Sequence, residues 1–148
     1  MIKIDYPVYH PKTKEANGKE WICDEARKKW VLLTPEEWVR QNFLQYLVQV
    51  MHYPVSLIAI EKEIFLGDVK KRFDIVVYNK KHTPWMIVEC KEMKTALDKK
   101  VLDQALRYNI TLQVPYIVIT NGSYCHAFEC GSSLLKQINH LPALENEQ

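Results

Sequence analysis

The sequence predicts an α/β domain: an α-β-β-β-α-β core with a mixed central sheet, preceded by a β-hairpin arm. Three observations carry that reading. Residues 34–54 show helical periodicity between a start signal and a closing proline. Three apolar, strand-like runs follow, separated by turn residues. A second helical stripe then leads into two more strand-like runs split by Asn-Gly. A chain of 148 residues suits one domain and is long enough to bury a core.

Taken in order, residues 1–20 are polar, carry Pro7, Pro11 and Gly18, and read as an irregular N-terminal arm. Residues 21–140 read as a single domain and 141–148 as a frayed tail. "WICDEARKKWVLL" suggests a short hairpin, with Trp21–Cys23 and Trp30–Leu32 as strands around a charged turn. "TPEEWVRQNFLQYLVQVMHYP" is the clearest helix: Thr34 suits the N-cap, Pro35 the first turn, and Glu37 completes a capping box. Val39, Phe43, Leu47 and Val50 recur at helical spacing beside Leu44, Val48 and Met51, and Pro54 closes the segment.

A meander follows: "LIAIEKEIFL", a Gly67-Asp68 turn, "KKRFDIVVYN", the turn "NKKHTP", then "WMIVECKE". Residues 95–113 read as the second helix, with Leu97, Val101, Gln104, Tyr108 and Leu112 on one stripe and Gln104 its polar interruption. "PYIVIT", Asn121-Gly122 and "SYCHAFEC" read as strand, turn and strand, and the stretch after Gly131 as a weak helix.

Composition narrows the function. A hydrophobic share of 47% and a mean hydropathy of −0.27 describe an ordinary globular chain. No apolar run approaches the ~20 residues of a membrane helix, and the opening "MIKIDYPVYH" lacks a signal-peptide layout. A cytoplasmic protein without membrane partners is expected. The net charge of +2 neither requires nor excludes a nucleic-acid partner. Cys23, Cys90, Cys125 and Cys130 show no C-x-x-C spacing and read as small buried hydrophobes rather than a zinc site.

The chemistry concentrates in "IVECKEM". Residues two apart on a strand share a face, so Glu89 and Lys91 lie together while Cys90 points the other way with Val88 and Met86. Asp74, expected on a face with Val76 and Tyr78, lies 15 positions before Glu89 across a tight turn, so an antiparallel pair can bring the two carboxylates together. Converging carboxylates repel unless something positive compensates. Oxygen ligands of this kind suit Mg²⁺ or Mn²⁺. Lys91 could then stabilise charge on a phosphate or assist deprotonation of water. A lone Glu-x-Lys on a strand is otherwise a solvated pair worth less than ~1 kcal/mol. The apolar run before it and Asp74 on the preceding strand favour the reactive reading.

Asp74 followed fourteen residues later by Glu89-Cys90-Lys91, after a helix and a hairpin, resembles the PD-(D/E)XK nuclease superfamily. More closely it is similar to the N-terminal nuclease domain of the restriction subunit of type I restriction enzymes. "LTPEEWVRQ", "KKRFDIVVYN", "MIVECK", "DQALRYN" and "VITNG" carry the likeness in that order, over roughly residues 22–130. Phe73 stands where the superfamily has proline. The resemblance implies a restriction-endonuclease-like fold and a Mg²⁺-dependent DNA endonuclease, with Mn²⁺ able to substitute. No helicase motor is present in this chain, so ATP-driven restriction is expected to need other restriction-modification subunits or a separate motor. A homodimer is a further possibility.

Position by position, the resemblance implies Asp74, Glu89 and the carbonyl of Cys90 as metal ligands and Lys91 as the catalytic lysine. It assigns one glutamate of the first helix to the metal shell, and helical spacing leaves Glu36 and Glu37 both open. Glu37 is favoured because Glu-x-x-Arg with Arg40 fits the family pattern. Its competing role is the capping box. Glu61 is a lesser candidate, read as a strand charge facing solvent. Gln104 and Tyr108 match a Gln-x3-Tyr motif shared with RecB-like nucleases, which puts Gln104 near the catalytic lysine or the phosphate. Lys71, Arg72 and Lys94, with Tyr108, are the expected DNA-facing residues among a wider set of lysines. The tryptophans and tyrosines are read as core rather than base-stacking residues, and no element suited to reading the major groove is evident. Two alternatives remain: a nuclease-fold module that binds nucleic acid or a partner subunit without cutting, and a purely structural domain.

Overall fold

The computed structural model describes residues 1–66, 68–111, 113–131 and 134–144. Short strand β1 (Ile2–Lys3) precedes a three-stranded antiparallel meander of β2 (Thr13–Ala16), β3 (Lys19–Asp24) and β4 (Lys29–Leu32). Helix α1 (Pro35–Gln45) continues into one π-helical turn at Tyr46–Val50. Strands β5 (Ile58–Leu66), β6 (Val69–Tyr78) and β7 (Pro84–Cys90) form the expected antiparallel meander. Helix α2 (Lys99–Thr111) then crosses over to β8 (Tyr116–Thr120), which pairs parallel to β7. Strands β9 (Tyr124–Cys130) and β10 (Leu135–Ile138) complete the chain antiparallel. The main sheet runs β1-β9-β8-β7-β6-β5, with β10 also on β9, so it is mixed and carries the α-β-β-β-α-β order.

The two helices cover opposite faces. Val39, Phe43 and Leu44 of α1, with Leu47 of the π-helical turn, pack on Ile75, Val77, Met86, Val88 and Cys90. Val101, Ala105 and Tyr108 of α2 pack on Phe73, Val76, Ile87, Ile117 and Ile119. A sheet covered on both faces needs apolar residues at successive positions, which is why β7 reads "WMIVEC" without alternation. Thr34 Oγ1 accepts the Glu37 amide at 3.0 Å, so the N-cap forms as the sequence predicts.

Several local expectations change. The lead-in is not irregular throughout: Ile2 and Lys3 pair with β9, and Thr13–Ala16 adds a third strand to the hairpin. The tight turn Asn17-Gly18, both residues at positive φ, makes that hairpin possible in a polar stretch. The second helix starts at Lys99 rather than 95, where the Asp98 carboxylate caps the Lys100 amide at 3.0 Å. The segment after Gly131 supplies strand β10 instead of a helix, because the open edge of β9 accepts it. Leu141 is buried and the Pro142 carbonyl accepts from Tyr53, so the tail is anchored there. The turn residue Gly67, the stripe residue Leu112 and residues 145–148 lie outside the described set. Trp30, Trp38 and Tyr124 stand at the surface, against their reading as core.

Candidate functional site

The site begins where the β6–β7 ladder stops. The last regular pair is Ile75 with Val88, so Asp74 stands opposite Glu89 one step further on. There the Asp74 side chain takes over from the backbone, and its Oδ2 accepts the Cys90 amide at 2.8 Å. On the other side β7 is still held by β8, with the Lys91 amide donating to the Thr120 carbonyl at 2.7 Å. In an extended strand the N–H and C=O of one residue point the same way. The Cys90 carbonyl is therefore aimed into the gap beside Asp74.

A second irregularity turns Asp74 outward. Ile60 pairs with Ile75 and Lys62 with Phe73, but the intervening step, Glu61 opposite Asp74, is absent from the ladder. Glu61 has φ of 51°, a left-handed conformation costly for a residue with a Cβ. Both strands change phase across it: Ile58, Ile60, Ile75 and Val77 pack under α1, whereas Ile64 and Phe73 pack under α2. Asp74 accordingly reaches Arg40 of α1 and does not share a face with Val76 and Tyr78, which lie on the α2 side.

Two arginines gather the acids. Arg40 Nη2 meets Asp74 Oδ1 at 2.7 Å and Nη1 meets Glu37 Oε2 at 2.8 Å. Arg27, in the turn between β3 and β4, holds Glu37 Oε1 at 2.8 Å and Glu61 Oε2 at 3.0 Å, and pairs with buried Asp24 through Nε. Gln41 donates to Asp24 at 2.9 Å. Glu37 is thus neither a free ligand nor the second half of a capping box, since each of its carboxylate oxygens faces an arginine. Glu36 differs: it is exposed, its one ion pair is a 3.5 Å contact with Arg40, and it looks onto Asp74 and Lys91. Glu61 is exposed, as a strand charge facing solvent would be, and also pairs with both arginines. Sequence reading missed Asp24 and Arg27 because a charged turn looks solvated; no local signal marks the distant partners.

Burial and the charge of Asp74 act together on the neighbouring acids. Burial, then the charge of Asp74, pushes the Glu89 carboxyl up to about 7, against the pull of Lys71 and Lys91. Burial and Asp74 likewise raise Glu36. The buried Cys90 thiol is raised well above its ordinary value, first by burial and then by Asp74. Burial lowers the Arg40 pKa, but its hydrogen bond to Asp74 and the charges of Glu37, Asp74 and Glu61 outweigh that and hold the guanidinium protonated. Among the described residues no group of three or more His, Cys, Asp or Glu is arranged to hold a metal ion, because the carboxylates are drawn onto the arginines instead. A cavity of about 590 Å³ opens over the set, lined by Arg27, Glu36, Glu37, Arg40, Glu61 and Glu92.

On the α2 side Gln104 donates to the Tyr108 hydroxyl at 2.7 Å. Lys71 lies over the Tyr108 ring at 5.2 Å, is hydrogen-bonded to that hydroxyl, and faces Glu89. Tyr108 and Lys71 thus link Gln104 to Glu89. Arg72 is exposed with a 3.4 Å contact to Glu63, and Lys94 is exposed just past Lys91.

The raised Glu89 carboxyl sets a pH test. Its folded-state value lies above the ordinary 4.5, so the stability it lends is complete below about 4.5 and is lost as pH rises through about 7. In chelator, unfolding free energy should fall across that window, by up to about 3 kcal/mol from this group at 1.36 kcal/mol per pKa unit. Glu89→Gln should flatten the fall and melt higher than the wild type at pH 8. Parallel pH profiles for the two proteins would refute the assignment.

The fold is a mixed sheet between two helices, with Asp74, Glu89 and Lys91 at the point where two strands part, and the family match makes it a restriction-nuclease-like domain. The chain belongs to the family described as type I restriction enzyme R protein N terminus (HSDR_N), whose model matches residues 35–142. Among solved structures it is similar to the type IIG restriction endonuclease BpuSI, at 20% identity and a TM-score of 0.46, over 66% of this chain and 11% of that one. The chain thus spans about a ninth of that enzyme's length. No curated protein matches. Among the described residues no helix is long and apolar enough to cross a membrane.

Proposed function

We propose that this domain is a metal-dependent DNA endonuclease of the PD-(D/E)XK kind, acting on phosphodiester bonds with Mg²⁺ or Mn²⁺. The observation that carries the reading is the convergence at one strand end of Asp74, Glu89, the inward-aimed Cys90 carbonyl and Lys91. The donor set fits a hard divalent cation: its donors are oxygens, and the carboxyls of Glu89 and neighbouring Glu36 are raised by burial and then by the charge of Asp74. Asp74, Glu89 and the Cys90 carbonyl would hold the cation, with Glu36 on the open side in place of Glu37, whose oxygens are both on arginines. Such a cation supplies charge neutralisation at the scissile phosphate and activation of water.

The chain's own groups do the rest. Lys91, whose ammonium has no lone pair, faces the phosphate as a charge stabiliser. Gln104 fixes the Tyr108 hydroxyl, which in turn holds Lys71 beside Glu89, where its ammonium can contact backbone phosphate. Arg72 and Lys94 add further phosphate contacts, independent of sequence. Other restriction-modification subunits or a motor would select the DNA.

A second reading, a silent module that binds DNA or a partner subunit, draws on one observation: Arg40 already supplies positive charge to Asp74. Plasmid and single-stranded DNA cleavage with Mn²⁺, run beside melting curves, separates the two. The nuclease reading expects cleavage and an Mn²⁺-dependent rise in melting temperature, both lost in Asp74→Asn. A ligand at 100 times its Kd contributes about 2.7 kcal/mol. Equal melting shifts in wild type and variant would overturn the shared-cation site, and no cleavage by the wild type would favour the silent module.

A further inference from the structure

We propose that Arg27, held by Asp24, is a positioning residue for Asp74, closing a ring of ion pairs that keeps Arg40 against the Asp74 carboxylate. The proposal rests on the reading of Asp74 as a member of the nuclease site. The ring is an alternation of charges. Glu37 places one oxygen on Arg27 and the other on Arg40, each at 2.8 Å. Glu61 does the same at 3.0 Å and 3.5 Å. Asp24 closes one end, on Arg27, and Asp74 stands at the other, on Arg40.

Burial separates this set from an ordinary surface cluster. Side-chain exposure is 0% for Asp24, 6% for Glu37, 8% for Arg40 and 14% for Arg27. Arg27 spends each of its three guanidinium nitrogens on a carboxylate from a different element: β3, α1 and β5. Its turn is pinned as well, since the Asp24 carboxylate also accepts the Arg27 amide at 2.8 Å. Partly buried, multiply bonded guanidinium–carboxylate contacts fix direction as well as distance. With Arg27 gone, Glu37 and Glu61 would each lose one of two cations, and Arg40 would be left to answer both. The charge that orients Asp74 would be drawn away from it. Asp24 and Arg27 precede residues 35–142, so the meander completes a site whose other members belong to the family region.

Arg27→Lys tests the idea, because an ammonium keeps the charge but cannot span three carboxylates. In chelator, melting temperatures are measured for Arg27→Lys, Asp74→Asn and the double variant. Both changes act on one network through Arg40, so the double variant should lose clearly less than the sum of the singles, whereas independent sites add. Additive losses would overturn the proposal. With Mn²⁺, Arg27→Lys should need about 10–100-fold more metal for half its melting shift, the usual loss for an outer-shell partner. At saturating Mn²⁺ it should lower kcat on plasmid with KM unchanged; a wild-type metal midpoint and kcat would also overturn it. Glu61→Gln, at a 37% exposed side chain, opens the ring without threatening the fold and should shift the metal midpoint the same way. If wild type neither binds Mn²⁺ nor cuts DNA, the nuclease reading fails, and the metal-free coupling alone decides whether the ring orders Asp74.

Discussion

Lys91→Ala is expected to lose DNA cleavage by about 10²–10³-fold, the usual effect of deleting one preorganised electrostatic stabiliser, while melting and the Mn²⁺ response stay intact. The backbone at Lys91 is fixed by its amide bond to Thr120, which the substitution leaves in place. Its side chain leaves the end of β7 near Glu89 and Glu36, outside both apolar clusters, so truncation opens no cavity in the core. Removing a positive neighbour from a cation site should keep or enlarge the Mn²⁺ melting shift. Lys91→Arg should not restore full activity, because the planar guanidinium differs in shape and does not release its proton. Cleavage by Lys91→Ala at the wild-type rate would reduce this lysine to an edge charge. Loss of the Mn²⁺ shift would instead mean that the ammonium organises the cation site.

What could be read from sequence was what short-range rules control. The Thr34 cap, the Asn121-Gly122 turn and the β6–β7 hairpin are set by residues close in the chain, and each forms as expected. The pairing of Asp74 with Glu89 and the opposite facing of Cys90 follow from strand period and a tight turn, so they too were legible. Three features depend on contacts far apart in sequence and were not. Strands β1 and β10 exist because β9 offers edges to pair with, which no property of "MIKI" or "LLKQIN" announces. Arg27 looks like any turn charge until α1 and β5 bring it acids. The face assigned to Asp74 assumed an uninterrupted pleat, and the left-handed backbone at Glu61 breaks that assumption on both strands. The same break brings the still exposed Glu61 to both arginines. Glu36 and Glu37, adjacent and chemically alike, could be told apart only once the arginines were in place.

Arg40→Met is expected to destabilise the metal-free protein by about 3–5 kcal/mol, the usual cost of removing one partner from a buried ion pair. Arg40 is 6% exposed and Glu37 5%, so the loss leaves Glu37 and Asp74 short of a cation with little water to take its place. Methionine preserves most of the volume, which keeps a cavity from accounting for the effect. The added negative charge gives the substitution a second consequence. A divalent cation at Asp74 and Glu89 would then supply the compensation that Arg40 gave. Mn²⁺ should therefore recover more of the melting temperature in Arg40→Met than it adds to the wild type. Chemical denaturation in chelator and in excess Mn²⁺ measures both quantities. A metal-free loss below about 1 kcal/mol, the scale of a solvated pair, would show that these charges are not buried as described. A full loss with no recovery in Mn²⁺ would show that Arg40 is the permanent counter-charge of Asp74, which is the behaviour of the silent module and not of a nuclease.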